Sequence, residues 1–265
     1  MCIRDRLVLD IELKESIESL AEVVVTAGTD KTGSLNELAT VSSRQFTVEE
    51  AGRYAGSRGE PTRMAQNYAG VSGSSDSRND IIIRGNSPLG MLWRFEGLDI
   101  PNPNHFALSG SNGGTVSILN LNVLSNSDFL TSAFPADYGN ATAGVFDLKM
   151  RKGNSEKREY TFQGGALGAE VTLEGPFGKN TEASYLVNYR YSTIDIVTSI
   201  FPVDVGYSGT PIYQDASFKI NLPTKKAGLF SLFGMGGISD YTVDAEERDS
   251  SNFDIFFTDN ANATF

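Results

Sequence analysis

The sequence contains few of the residues that build disulfide, metal or nucleophilic sites. It has one cysteine, Cys2, and one histidine, His105. A lone cysteine excludes an internal disulfide framework and a cysteine-based metal site, and a lone histidine excludes a histidine-rich zinc site. No Gly-x-Ser-x-Gly nucleophile elbow accompanies the histidine, and no glycine-rich stretch ends in the Lys-Ser/Thr of a phosphate-binding loop. We therefore expect no enzymatic activity, no cofactor and no metal site.

Basic residues and long apolar runs are also scarce. The 22 Lys and Arg residues are outnumbered by 33 Asp and Glu, and the formal net charge of −11 argues against nucleic acid, whose phosphates attract basic surfaces. No apolar run reaches about 18 residues, which excludes a membrane-spanning helix, whereas a transmembrane β-barrel needs no such run. A carboxylate cluster lacks EF-hand spacing, so we predict a solvated loop there. Its members are Asp244, Glu246, Glu247 and Asp249.

The first 34 residues are expected to hold the remains of another domain. No apolar stretch of signal-peptide length follows Met1 to Arg6. This hexapeptide resembles translated sequencing-adaptor text, so we expect residues 1–6 to be a non-native start. Leu7 to Leu13 alternates apolar and polar residues over most of its length, which predicts the last strand of a small β-sandwich. Gly28 to Gly33 has turn composition and marks a boundary.

The middle of the chain is organised around Asp80 to Met150, where short apolar strands alternate with Gly-, Pro- and Asn-rich turns. Upstream, Thr47 to Glu50 has the pattern of a capping box, which predicts a short helix that ends near Gly56. Pro61 to Tyr68 predicts a second helix, because proline is favoured in a first helical turn and Gly70 follows. Helices followed by short strands indicate an α+β domain.

Five motifs in this region, taken in order, resemble the plug domain of TonB-dependent outer-membrane receptors. They are Ile83-Arg84-Gly85, Arg94 to Pro101, Ser127 to Leu130, Ala133 to Asn140 and Gly144 to Asp147. Pro101 to Phe106 is most similar to Bacteroidetes-type receptors, in which a carboxypeptidase-regulatory-like domain precedes the plug. Several motifs in one order are more specific than any single motif, and structural context is the test.

From Arg158 onward the sequence changes to alternating apolar and polar residues. Period-2 segments of about ten residues, with aromatic residues towards their ends, are typical of a transmembrane β-barrel. The predicted strands are Tyr160–Gly164, Ala169–Leu173, Ala183–Tyr191, Ile212–Leu222 and Gly228–Tyr241, with a sixth beginning in Thr258–Phe265. Short polar connections alternate with long ones, like periplasmic turns and extracellular loops. Since plugged barrels have about 22 strands, we expect an incomplete barrel and a truncated chain.

The resemblance therefore implies an α+β plug domain followed by the first antiparallel strands of a transmembrane β-barrel. The expected domains are the non-native start at 1–6, the end of a β-sandwich with a TonB-box-like linker at 7–34, the plug at 35–153 and truncated barrel strands at 154–265.

The resemblance also implies roles for particular residues. One segment resembles the TonB box, which TonB captures by adding it to the edge of a sheet. Its residues are Glu22, Val23, Val24, Val25, Thr26 and Ala27. The alternative for this stretch is an ordinary connecting strand. Arg84 and Arg94 are expected to lock the plug to the barrel wall, because an arginine that closes an apolar strand needs carboxylate or carbonyl partners. Their alternative is an exposed charge at a strand end.

Apical plug loops are expected to face the ligand. Their candidate contact residues are Asn86, Asn102, Asn104, His105, Phe106 and Asn112. A catalytic role for the histidine has little support, and a hydrogen-bonded loop histidine is favoured.

The implied function is ligand binding at the extracellular face and import by TonB-driven plug rearrangement, in the cell outer membrane. The implied partners are TonB with its inner-membrane energising complex, outer-membrane lipid, a surface lipoprotein, and a small-molecule, siderophore-like, peptide or oligosaccharide ligand. One alternative is a soluble secreted β-rich binding or adhesion protein, whose aromatic rows would pack in a closed sandwich. Another is a receptor that signals to an anti-sigma partner, which needs a signalling domain that the sequence does not show.

Overall fold

The computed structural model describes residues 34–39, 41–76, 78–107, 111–165, 168–179, 181–194, 196, 200, 209–243 and 263–264. All of them belong to one compact unit, Thr32–Phe265. We divide its described residues into the α+β part, residues 34–150, and the meander, an antiparallel sheet that begins at Glu159.

The α+β part consists of short strands and helices arranged around one five-stranded sheet. Its elements are β1 Ser43–Phe46, α1 Val48–Arg53, a 3₁₀ turn Ala55–Ser57, α2 Pro61–Ala65, β2 Val71–Ser72, β3 Ile82–Ile83, a 3₁₀ turn Pro88–Gly90, β4 Met91–Phe95, β5 Leu98–Ile100, β6 Asn104–His105, β7 Val116–Ser117, β8 Ser127–Leu130 and β9 Gly144–Leu148. The strand order of the five-stranded sheet is β1-β8-β9-β4-β5, in which β4 and β9 run parallel. β2 pairs with β3 and β6 pairs with β7 in two small ribbons.

Both helices begin where the sequence predicts and end earlier. The Thr47 side chain accepts a hydrogen bond from the backbone N–H of Glu50 at 3.3 Å, the cap that starts α1. α1 ends at Arg53 because the next residue, Tyr54, has extended backbone angles. Pro61 is the first residue of α2, as predicted, and the helix ends after five residues. Within the described residues, no helix is long and apolar enough to cross a membrane.

Four aromatic rings form the centre of the α+β core. Phe146, on the central strand β9, lies 5.4 Å from Phe46, 5.2 Å from Phe129 and 5.5 Å from Trp93, measured between ring centroids. The three phenylalanines are fully buried and the tryptophan is 3% exposed. Edge-to-face and stacked pairs at these distances add to the free energy gained by burying the rings. Since Trp93 is the one tryptophan in the chain, its fluorescence reports on this core.

A second organising group is the carboxylate of Asp80, which joins two loops. Its Oδ2 accepts hydrogen bonds from Arg78 Nε at 2.7 Å and Ser74 Oγ at 3.0 Å, and its Oδ1 accepts one from Ser111 Oγ at 2.7 Å. Burial alone opposes the charge, but these hydrogen bonds together with the guanidinium lower the pKa of Asp80 below its usual value. Ionised Asp80 therefore connects the loop before β3 to the loop before β7.

We expect Asp80→Asn to lower the free energy of unfolding at neutral pH by about 1.5–3 kcal/mol, the range for a hydrogen bond to a charged group. A carboxyl group whose pKa is lower in the folded state contributes stability above its unfolded pKa, and this contribution is lost as pH falls through the folded value. The wild-type free energy of unfolding should therefore fall more steeply on acidification than that of the variant, measured by urea titrations of Trp93 fluorescence.

The exposed Asp76→Asn is the matched control, because no hydrogen bond to its carboxylate occurs among the described residues. If the free energy of unfolding fell equally with pH in the wild type and Asp80→Asn, ionised Asp80 would not be the stabilising group.

The meander consists of consecutive antiparallel strands, each paired with the next. They are β10 Glu159–Gly164, β11 Ala169–Pro176, β12 Ser184–Tyr191, β13 Gly209–Thr224, β14 Gly228–Val243 and β15 Ala263–Thr264. The five strands predicted from period-2 alternation coincide with β10 to β14, and β15 falls within the predicted start of a sixth. β13 and β14 have 16 residues each, longer than predicted, and pair along their whole length.

Candidate functional site

One face of the meander is apolar and exposed. A cross-strand row on this face runs through Tyr160, Leu173, Val187, Phe218 and Gly234 in register. Val187 is 39% exposed and Phe218 is 37% exposed, and Tyr160 reaches 58%. Neighbouring rows repeat the pattern with further exposed aromatic and aliphatic side chains. A continuous apolar surface of this kind marks contact with a partner or a membrane.

The opposite face is polar and covers the α+β part. Its buried polar side chains are Thr172, Glu174, Ser184, Asn188, Asp215, Ser217, Lys219, Asn221 and Ser239. Successive residues of a strand point to opposite faces, so both faces come from the same alternation. A few apolar contacts join the two parts, including the rings of Phe95 and Phe233 at 5.9 Å. The sheet therefore has the reverse polarity of a soluble one: its polar face is buried and its apolar face is exposed.

His105 contacts the polar face through a carboxylate on β13. Its Nε2 lies 3.1 Å from Asp215 Oδ2, and the two side chains are 1% and 3% exposed. Arg190 donates to the same oxygen from Nε at 2.9 Å and Nη2 at 2.7 Å, and also to the backbone oxygen of Ser117. A Cβ at position 237 would lie 2.6 Å from the imidazole, so Gly237 makes room for the ring. This cluster joins β6 and β7 to the meander.

A second connection between the α+β part and the meander lies further along β13, at Lys219. Lys219 Nζ donates to Glu96 Oε2 at 2.8 Å and to the backbone oxygen of Met150 at 2.9 Å. The other oxygen of Glu96 accepts from the N–H of Met150 at 2.5 Å. The lysine and glutamate side chains are 7% and 15% exposed. This largely buried ion pair, in which both oxygens of Glu96 accept hydrogen bonds, holds the end of the α+β part against β13.

The segment that leaves the α+β part is held by a bidentate pair. Arg151 donates from Nη1 and Nη2 to the two oxygens of Glu174, each at 2.7 Å, and from Nε to the backbone oxygen of Asn122 at 2.6 Å. The N–H of Asn154 adds a bond of 2.9 Å to the same carboxylate. Fork-like arginine–carboxylate pairs fix geometry as well as charge, so this pair sets where β10 begins.

A cavity of about 650 Å³ lies between the α1–α2 region and the meander. The meander lines the cavity with residues near the end of β10 and β12 and near the start of β11 and β13, including Gly164, Arg190 and Tyr213. Glu170 lines it with both carboxylate oxygens accepting from the amides of Asn120 and Asn122. The volume lies within the range of small-molecule sites.

The two arginines predicted to lock the domains together have partners within the α+β part. Arg84 is exposed, has a φ of 50° and donates to Ser132 Oγ at 3.4 Å. Arg94 Nε donates to Asp99 Oδ1 at 2.9 Å, and its guanidinium lies 4.7 Å from the centroid of the Tyr138 ring. Among the described residues, neither side chain reaches the meander by a hydrogen bond or ion pair. Their locking role stays a prediction.

The predicted ligand-facing residues divide into two groups. Asn86 is exposed and Asn102 and Phe106 are half-buried. Asn104, His105 and Asn112 are at most 5% exposed. In this structure these three do not face solvent. The reason is that loop backbones need partners when buried: Asn112 Nδ2 donates to the backbone oxygen of Ile81 at 3.3 Å, for example.

The TonB-box-like segment, Glu22 to Ala27, lies outside the described residues, as does the acidic cluster from Asp244 to Asp249. Both assignments remain predictions.

Apart from His105, the residues that join the two parts were not predicted as site residues from the sequence. The sequence nonetheless contains a signal for some of them: charged side chains lie four residues apart on one strand, as at Glu170 and Glu174 on β11 and Asp215 and Lys219 on β13. With a spacing of four in a strand, both members of each pair share one face. What the sequence does not indicate is which side chain of the α+β part each one meets.

Comparisons with known proteins find likeness in structure alone. No protein-family model matches the sequence, and a search of curated proteins finds no significant match. The outer membrane transporter YddB from Escherichia coli matches at 13% identity with a TM-score of 0.50, over 76% of this chain and 34% of that one.

Two receptors from Pseudomonas aeruginosa also match. A mutant of the ferric enterobactin receptor PfeA matches at 16% identity with a TM-score of 0.48, over 76% of this chain and 33% of that one. The siderophore receptor PirA matches at 15% identity with a TM-score of 0.46, over 76% and 38%.

The chain thus spans about a third of the length of these structures. At such identities the likeness shows the fold alone. The α+β part and the meander together have the fold of part of an outer membrane transporter.

Proposed function

We propose that this chain is part of a TonB-dependent outer-membrane receptor. The α+β part is its plug, and the meander is a section of the transmembrane β-barrel that surrounds the plug. One observation carries this proposal: the apolar face of the meander is exposed while its polar face covers the α+β part. A barrel strand in lipid has this arrangement, with apolar residues outside and polar residues facing the lumen.

The same observation disfavours a soluble sandwich. In a sandwich the apolar rows of two sheets interdigitate, so rings such as Phe162 and Tyr189 would be buried. They are 76% and 42% exposed. The described residues place no second sheet against them.

Within this proposal the plug carries the transport step. Ligand binds at the end of the barrel where the long connections leave the strands. TonB then captures Glu22 to Ala27 and pulls, and the plug rearranges to open a path through the outer membrane. A small domain with many loops suits this role because its local stability is low. No covalent chemistry is required.

We expect neighbouring residues of β13 to differ in their access to lipid. In a Cys2→Ser background, Ala216→Cys lies on the apolar face and Ser217→Cys on the polar face, and Lys226→Cys lies in the turn after β13. In lipid vesicles, Ala216→Cys should react with a lipid-soluble maleimide and resist a water-soluble one. Ser217→Cys should resist both until the protein is unfolded, because that position is buried against the plug.

Lys226→Cys is the aqueous control and should react with the water-soluble reagent throughout. If Ala216→Cys reacted with the water-soluble reagent as fast as Lys226→Cys in folded, vesicle-bound protein, the membrane assignment would be wrong.

A further inference from the structure

The cavity between the plug and the meander has an excess of unused hydrogen-bond donors. Its two lining carboxylates already have partners. Glu60 accepts from Arg63 Nε at 2.9 Å and from the N–H of Ser117 at 3.1 Å, and Glu170 accepts from two asparagine amides. The acceptors on the wall of the cavity are therefore largely satisfied by protein.

The lining arginines are not saturated. A guanidinium has five N–H donors. Within the described residues, Arg63 uses Nε and Nη1, and Arg190 uses Nε and Nη2. Arg58 lines the same cavity, is exposed, and has no hydrogen bond or ion pair from its side chain to any described residue. Three guanidinium groups with N–H donors to spare therefore surround one space.

The backbone at Arg58 is also unusual. Its φ is 52°, in the left-handed region that an L-residue enters at a cost of about 1–2 kcal/mol. The next residue, Gly59, also has a positive φ. Strained backbone positions cluster at ligand-binding and active sites, so a charged side chain at such a position beside a cavity indicates a ligand contact.

We propose that this cavity binds a small anionic molecule, one that carries a carboxylate or phosphate group, with Arg58 supplying the main charge contact. Arg63 and Arg190 complete the donor set, and the glycines of the lining leave space for the ligand. A Cβ at Gly52 or Gly164 would meet no atom within 4 Å. The anion's role as transported cargo rests on the proposed function, but its binding is measurable without transport.

The first test measures binding of three probes to the full chain in detergent micelles at low ionic strength, by calorimetry. Citrate and glucose 6-phosphate are the anionic probes, and neutral glucose is the control. Arg58→Gln should weaken the affinity for the anions about tenfold or more, the effect of losing one charge-assisted contact. Arg53→Gln is the matched control: it removes another exposed arginine, in α1, that does not line the cavity.

A second variant pair tests position rather than charge. Gly52→Trp should fill the cavity and reduce anion binding at least tenfold. Gly139→Trp is its control, because a Cβ there also meets no atom within 4 Å and the residue does not line the cavity. Circular dichroism verifies that each variant is folded.

Three results would overturn the inference. They are no binding of either anion, binding that Arg58→Gln and Arg53→Gln weaken equally, and binding that Gly52→Trp leaves intact. The outcome is separable from that of the proposed function. A chain with lipid-facing Ala216→Cys and no anion binding refutes the anion site alone, whereas anion binding by a chain whose apolar face is open to water refutes the membrane assignment alone.

Discussion

Lys219→Met is expected to destabilise the protein by about 3–5 kcal/mol, because it leaves the Glu96 carboxylate buried without its counter-charge. The lysine is 7% exposed and bonds both this carboxylate and the backbone oxygen of Met150. Removing it also leaves that oxygen short of a donor. Urea titration of the full chain in micelles, followed by Trp93 fluorescence, measures the loss.

The double variant Glu96→Gln with Lys219→Met separates the charge from the contact. The glutamine keeps an oxygen for the N–H of Met150, which the glutamate now accepts at 2.5 Å, and no charge remains buried. Replacing both members of a buried pair is often close to neutral, so most of the lost stability should return. Lys225→Met, in the exposed turn before β14, is the control and should change little. Equal losses in the single and double variants would show that the charge is not the cause.

Phe146→Ala is expected to cost a similar amount, about 3–5 kcal/mol, the range for removing a buried aromatic ring and leaving a cavity. The ring is fully buried and touches the rings of Phe46, Phe129 and Trp93. Far-ultraviolet circular dichroism during urea titration is the better measurement here, because the change alters the surroundings of the tryptophan.

Leu98→Ala is the matched control. This side chain lies on β5 in the same sheet but is 61% exposed, so its loss should change the free energy of unfolding by less than about 0.5 kcal/mol. A small effect of Phe146→Ala would mean that the aromatic cluster is not the centre of the core.

Local patterns of the sequence were enough to predict the strands of the meander and the starts of both helices. Alternation over β12 placed Val187 and Tyr189 on one face and Asn188 on the other, as the structure shows. Thr47 and Pro61 carry start signals that act within one helical turn. The helix ends were predicted too late because the residues that follow have turn geometry set by packing, which propensity does not record.

The sequence did not predict which side chains of the α+β part and the meander contact each other. The sequence predicted that Arg84 and Arg94 lock the two parts together, since an arginine that closes an apolar strand needs a carboxylate or carbonyl partner. That role stays a prediction. In the structure, Arg151, Arg190 and Lys219 are among the side chains that join the two parts. Each lies more than 20 positions from its carboxylate partner, and sequence carries no measure of distance across such separations.

His105 shows the same limit in one residue. The sequence predicted a hydrogen-bonded loop histidine among the ligand-facing residues, without indicating its partner. In the structure the ring is 1% exposed and bonds Asp215, 110 residues away. Period and turn composition are properties of neighbouring residues, so the chain alone specified where strands and turns occur and which face of each strand is apolar. The tertiary structure decided which loop packs against the polar face of the sheet, because that contact depends on side chains that become neighbours only when the plug packs against β13.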